Sequence, residues 1–232
     1  FTVICSDQTG TLTQNQLTVE LLDTLGTRFD LRDSGDGESD SAANGEAKQH
    51  VEDNPAFALM LAGMGLCNDA ELDFDEQTQE FLAVGDPTEA ALTVAAAELG
   101  VPANDLVQFM PRVEEIPFDA DRKRMTTIHE VRQFPGNDSD GPLRAVATAV
   151  AAVDGGFLAL TKGAVNSVLD VSQSVFENGT VQPVDDNWRE RIGAANDELA
   201  GNGMRVLGVG YRAWDRLPDG IDAEIVERDW VV

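Results

Sequence analysis

Residues 114–134, EEIPFDADRKRMTTIHEVRQF, decide how the rest of the chain is read. EEIPF and RMTTIHEVRQF alternate apolar and polar positions or run apolar, the habit of strands, and charged residues separate them. Downstream, LRAVATAVAAV (143–153) and GFLALTKG (156–163) read as two more strands, with GNDSDG and DGG as turns. Upstream, NPAFALMLAGMGL (54–66) has Pro near its start and apolar residues at helical spacing, which predicts a mostly buried helix ended by CNDA. A strand pair, ELDFDE and TQEFLAV, follows. GDPTEAALTVAAAELG (85–100) then carries every helix signal: Asp86 or Thr88 as cap, Pro87 early, Glu89 at the amino end, Gly100 as stop. Leu17–Leu31 suits one or two strands, and the Gly, Ser and acid-rich residues 32–49 a surface loop. After residue 163 come a short helix (AVNSVLDVS), an acidic turn, an amphipathic helix over 186–200 and a strand, MRVLGVGYRAW. Consecutive strands mixed with flanking helices give the class α+β.

A chain of 232 residues can form one or two domains, and its 42% apolar content marks a folded protein. No apolar run reaches the ~18 residues of a membrane span, and no charged leader precedes an apolar signal segment, so the chain reads as soluble. The 42 Asp and Glu outweigh 16 Lys and Arg, a formal charge of -26. Such a surface repels nucleic acid and anionic lipid, which excludes both as general partners. Spread acidity with only Lys48, Lys123 and Lys162 as lysines resembles the proteins of salt-loving archaea, so the charge reads as environment. Cys5 and Cys67 give neither a disulfide framework nor a metal spacing and read as buried thiols of a reducing compartment.

Five segments hold candidate chemistry. In ICSDQTGTLTQ (4–14) Asp7 stands after a short apolar run, at the carboxyl end of a strand; it is either a nucleophile toward phosphoryl groups or a turn-capping carboxylate. Glu89 accepts from a ligand amine or closes a helix cap. Phe118, ahead of Arg122, Lys123 and Arg124, is either a stacking platform for a base with phosphates attached or a core residue beside solvated cations. Lys162 follows an apolar strand and precedes Gly163, where its ammonium can line a pocket or meet solvent. Arg205 opens a strand and pairs with phosphate or with a structural carboxylate.

Taken in order, these segments resemble one family. ICSDQTGTLTQN is similar to the phosphorylation motif of P-type ion-transporting ATPases, and CNDA, GDPTEAAL, FDADRKRM, TKGA and MRVLGVGYR resemble the nucleotide-binding domain of the type II branch, which holds calcium and sodium/potassium pumps. The resemblance implies a twisted antiparallel sheet flanked by helices, with residues 1–18 the strand and phosphorylation loop of a split catalytic domain, 19–213 the nucleotide-binding domain and 214–232 a return segment. It implies ATP as ligand and Mg2+ in the intact enzyme. Asp7 would accept the γ-phosphoryl group; Thr9, where related phosphatases keep an acidic proton donor, would let the phosphorylated aspartate persist; both would contact Mg2+. Glu89 would contact adenine, Phe118 would stack on it, Lys123, Lys162 and Gly163 would form the pocket, and Arg205 would lie near the phosphates. Partners would be an adenine nucleotide and the rest of the pump: its catalytic half, actuator and membrane domains. The chain would then be a cytoplasmic domain of an integral membrane protein that binds nucleotide without hydrolysing it alone.

The family pattern is not followed everywhere. Gln8 replaces the usual lysine, Ala120 stands where calcium pumps often carry arginine, and TKGAVN lacks the Pro and acid that usually follow Lys-Gly-Ala. Two other classes stay open: a stand-alone phosphatase or phosphotransferase of the haloacid dehalogenase type, sharing the opening strand and Asp7, and a non-enzymatic interaction module.

Overall fold

The computed structural model describes residues 17–24, 27–31, 48–78, 80–135, 141–177 and 179–232, and the backbone of residues 2–8. Its organising strand is β11 (Arg205–Trp214). Along one edge β11 pairs antiparallel with β8 (Phe157–Ala164) from Leu207 to Trp214. Its other edge is shared: β1 (Thr2–Gln8) pairs with residues 205–209, and β12 (Trp230–Val231) meets it at Tyr211. Beyond β8 lie β7 (Arg124–Glu130) and then β6 (Arg112–Asp119); beyond β1 lie β2 (Leu17–Thr24) and β3 (Thr27–Asp30); beyond β12 lie β9 (Ser172–Glu177) and β10 (Thr180–Pro183). These ten strands form one sheet, while β4 (Glu71–Asp75) and β5 (Glu80–Val84) make a separate hairpin. Among the described residues every pairing is antiparallel except β9 with β12.

Strand periodicity sorts side chains onto the two faces. Leu158, Leu160, Met125 and Leu22 face a large core with α2 (Pro55–Leu66), α3 (Pro87–Glu98), α4 (Ala103–Phe109) and α5 (Pro142–Ala152). A short helix over 48–53 (α1) adds Val51 to that core. On the opposite face Leu21 joins α6 (Val165–Asp170) and α7 (Asp186–Gly201), while Ile128 and Ala159 meet Trp230 and Val226 of α8 (Ala223–Val226). The α2 helix is apolar nearly all round, as a helix enclosed by others must be. It starts where Asn54 Oδ1 accepts from the Ala56 amide and Pro55 takes the first helical position.

Two sequence readings are corrected. LRAVATAVAAV is not a strand but α5, started by Pro142 after Gly141; Val146, Ala149 and Val150 are buried at helical spacing. Alternating Ala and Val mimic a period of two, yet alanine is the strongest helix former and the helix packs on α2. The acidic turn before α7 is instead the β9–β10 hairpin, in which Val175 is fully buried. Helices α1, α4 and α8 and strand β12 have no counterpart in the sequence reading, and α1 begins inside the 32–49 segment read as a loop, the rest of which lies outside the described residues. The other described strands and helices fall close to where the pattern predicts.

The seam between α2 and β11 is tight at Gly63, where a Cβ would come within 2.4 Å of Val209 Cγ1. Valine is stiff about χ1, so that methyl has no rotamer to escape to. Replacing Gly by Ala gains about 1 kcal/mol of helix propensity, whereas overpacking costs about 1–3 kcal/mol. Gly63→Ala is therefore expected to lower the unfolding free energy in denaturant titration, and to become neutral or stabilising in a Val209→Ala background. Stabilisation of the wild-type chain by Gly63→Ala would show that the helix stands off the sheet.

Candidate functional site

Four chain segments converge at one end of the sheet because the strand register brings them there. The β6–β7 turn ends at Arg124, which pairs with Gly163 at the end of β8; Ala164 pairs with Leu207 near the start of β11; and Arg205 pairs with Ser6 of β1. The first turn of α3 lies over this row, with Lys162 Nζ 2.6 Å from Glu89 Oε1 and Arg205 donating to Thr88 Oγ1 at 2.6 Å.

Each side chain has a local cause. Asp86 caps α3 by accepting from the Thr88 amide, which starts the helix one residue later and puts Thr88 and Glu89 in its first turn. Lys162 alternates with Leu160 on the face of β8 that meets α2 and α3, so its ammonium is buried and needs the carboxylate it finds. At Gly163 a Cβ would sit 2.3 Å from the Lys123 carbonyl oxygen and 2.7 Å from Arg124 Cα. Both are backbone atoms, so only glycine lets the β7 turn close on β8, and the Ala164 amide donates to that same Lys123 carbonyl. The turn itself is an Asx turn. Asp119 Oδ1 accepts from the amides of Arg122 and Asp121, and its carbonyl accepts from Lys123, which takes a positive φ of 53°. The Arg122 amide, then that of Asp121 and the Arg122 charge, hold the Asp119 carboxyl below its usual range.

Phe118, just before this turn, leaves 63% of its surface exposed. That is unusual for a large aromatic and suits a stacking platform. Lys123 is exposed, and no described residue pairs with its ammonium. Among the expected site residues, Glu89 with Lys162, and Gly163 with Lys123, are thus brought into contact; Arg205, hydrogen-bonded to Thr88, and Phe118 stand at the same sheet end. The backbone of Asp7 follows Ser6, the partner of Arg205, so it lies beside the start of β11. The Asp7 side chain and all of Thr9 lie outside the described residues.

The basic cluster divides. Arg122 and Arg124 do not face a ligand: both bind Glu227, whose side chain is fully buried, Arg124 Nε at 2.8 Å, and Thr126 Oγ1 donates to the same carboxylate at 3.1 Å. Nothing in ERDWVV marks Glu227 as their partner more than 100 positions away. Sequence reasoning also missed Thr88 as a partner of Arg205, although its place as a cap candidate put it on the right turn.

Buried His129 lies on the α2 face of β7 with both ring nitrogens engaged. Its Nδ1–H donates to the Met110 carbonyl at 3.0 Å, Nε2 takes the Thr127 hydroxyl at 2.8 Å, and burial pushes its pKa down to about 4. Burial likewise pushes the Cys67 thiol up, which keeps it unreactive.

A platform, two lysines, a carboxylate and an arginine at one sheet end are the parts a nucleotide site uses, and sequence comparison decides the lineage. Residues 56–229 match the model of the P-type ATPase cytoplasmic domain N. The chain belongs to that family. The N domain is 30% identical over 221 residues to calcium-transporting ATPase 1 of Bacillus cereus, covering 95% of this chain and 20% of the relative. It is 32% identical over 229 residues to a probable cation-transporting ATPase F of Mycobacterium bovis, covering 97% and 22%. Against the sodium/potassium-transporting ATPase subunit alpha-1 of Oreochromis mossambicus it is 30% identical over 222 residues, covering 94% and 19%. The chain thus spans about a fifth of the length of the relatives it matches. Among the described residues no single helix is long and apolar enough to cross a membrane.

Removing one partner of a buried ion pair costs about 3–5 kcal/mol, because the other charge is stranded. Glu227→Ala is expected to reach that range in denaturant unfolding, since it strands two arginines. A cost below about 1 kcal/mol, the size of a surface pair, would mean that the Glu227 network is solvated.

Proposed function

We propose that this N domain binds an adenine nucleotide at the end of the sheet marked by Phe118, Lys123, Lys162 and Arg205, and that in the whole pump it presents the γ-phosphoryl group of ATP to Asp7. The observation that carries the reading is the 63% exposure of Phe118 on the rim that also holds Lys123, whose ammonium meets no partner among the described residues, and the Glu89–Lys162 pair. In an acidic chain of charge -26, cations gathered at one sheet end attract an anion that the rest of the surface repels.

The roles follow from chemistry. Phe118 stacks on the base, and the carboxylate of Glu89 accepts from an exocyclic amine. Lys123 and Lys162 line the pocket, with Gly163 keeping the β8 backbone low enough for the turn to close; Arg205 reaches toward the phosphates. Asp7 and Thr9 would work with Mg2+ in the complete catalytic domain, where the ion neutralises the transferring phosphoryl group. Thr9 cannot serve as a ready general acid, which favours a long-lived phosphorylated Asp7. Gln8 withholds a cation from that step. The parent is proposed to be a type II, calcium-pump-like cation transporter working in high salt. Support for the type comes from the relatives named calcium-transporting ATPase, and for the salt from the acidic surface.

Calorimetric titration of the chain with ATP in high salt is expected to give saturable binding without release of phosphate. Phe118→Ala and Lys162→Ala should each weaken binding about tenfold or more, stacking alone being worth about 1–3 kcal/mol per base, with unfolding midpoints measured alongside. Unchanged affinity in both variants would overturn the site, and Mg2+-dependent turnover of a small phosphate ester would favour a phosphatase instead.

A further inference from the structure

The four residues 67–70, CNDA, read in the sequence as the end of α2 and as one of the segments resembling the family, with no role given to any of them; in the fold they link that end to the first turn of α3. We propose that Asn68 is a positioning residue for Glu89, and that it thereby sets the selectivity of the site for a purine with a 6-amino rather than a 6-oxo group. The inference rests on the nucleotide reading above.

Asn68 is 5% exposed, and its side-chain hydrogen-bonding groups are committed. Its Nδ2 donates to the Met64 carbonyl at 3.0 Å and to the Glu89 carbonyl at 2.8 Å, while Oδ1 accepts from the Ala70 amide at 2.8 Å. One amide therefore joins the last turn of α2 to the main chain of Glu89 itself. The next residue completes the link, for the Asp69 amide donates to Glu89 Oε2 at 3.0 Å. Arg112 fastens the loop from outside: it donates to the carbonyls of Leu66, at 3.2 Å, and Asn68, and pairs with the Asp69 carboxylate at 2.7 Å.

Glu89 is consequently fixed at both oxygens, Oε1 by Lys162 and Oε2 by the Asp69 amide. An ionised carboxylate has about four acceptor positions and no donor, so with two of them taken it can still accept from an incoming N–H but has nothing to offer a carbonyl. A fixed acceptor of this kind favours the 6-amino edge of adenine and repels the 6-oxo edge of guanine. A carboxylate free to swing would yield to the oxo group at little cost. Lys162 alone anchors only one oxygen, so orientation depends on the second anchor, and that amide is placed by Asn68. A mutation at Asn68 acts on the base edge, about which Phe118 and the phosphate-side cations are indifferent.

The test uses the whole chain, with ATP and GTP titrated against wild type, Asn68→Ala, Asn68→Ser, Glu89→Gln and the Asn68→Ala/Glu89→Gln double variant, each with its unfolding midpoint. Wild type is expected to prefer ATP, and Asn68→Ala to shrink the ATP-to-GTP affinity ratio about tenfold, mainly through weaker ATP binding. Adding Asn68→Ala to Glu89→Gln should change the ratio less than about twofold, because the two act through one carboxylate. Should Asn68→Ala fail to fold, Asn68→Ser, which keeps a short donor, carries the same comparison. An unchanged ratio in a folded Asn68 variant, or equal loss for both nucleotides tracking a lowered midpoint, overturns the assignment to Asn68 alone. Absence of nucleotide binding by wild type overturns the nucleotide reading and this inference with it.

Discussion

A buried ammonium and a carboxylate held 2.6 Å apart under the first turn of α3 join the two layers of this domain where its function is proposed to lie. Lys162 belongs to the sheet and Glu89 to the helix layer, so their pairing sets the height and rotation of α3 over β8. Other features follow from that constraint. Thr88, one residue away, meets Arg205 on the neighbouring strand; the 67–70 loop is held against the Glu89 main chain; and Gly163 must lack a side chain so that the β7 turn can reach the end of the same strand. A buried pair of this kind gives little net stability compared with an apolar one. Its presence in a chain with three lysines fits a binding role better than a structural one.

Much of the fold was legible because the helices carry strong local signals. Asn54 with Pro55, and Asp86 with Pro87, start α2 and α3 as expected. The failures are local too. Residues 143–153 alternate Ala and Val, a pattern compatible with either period, and only packing of Val146 and Val150 on α2 settles it as a helix. The β9–β10 hairpin hides because its apolar positions, Val175 and Phe176 against Val181, are diluted by polar residues. Its burial comes from β12, which pairs with β9 from more than 50 residues further along the chain.

The candidate site was legible as a set of residues and not as a set of contacts. Family resemblance singled out Glu89, Phe118, Lys123, Lys162, Gly163 and Arg205, but could not say which cations were already spent. Arg122 and Arg124 look equivalent to Lys123 in sequence, yet they neutralise the fully buried Glu227, and only Lys123 stays without a described partner. Long-range pairing of this kind leaves no mark in local composition. The same holds for Asn68, whose amide links two helices across 21 positions.

The most direct measurement is an amide NMR titration of the chain with a non-hydrolysable ATP analogue in high salt. Saturable shifts are expected to cluster at Thr88, Glu89, Phe118, Lys123, Gly163 and Arg205. A cleft of about 840 Å³ lined by Arg144, Thr148 and Tyr211 lies elsewhere on the fold and should stay silent. Shifts gathered around that cleft, or none that saturate, would contradict the placement of a nucleotide beside the Glu89–Lys162 pair.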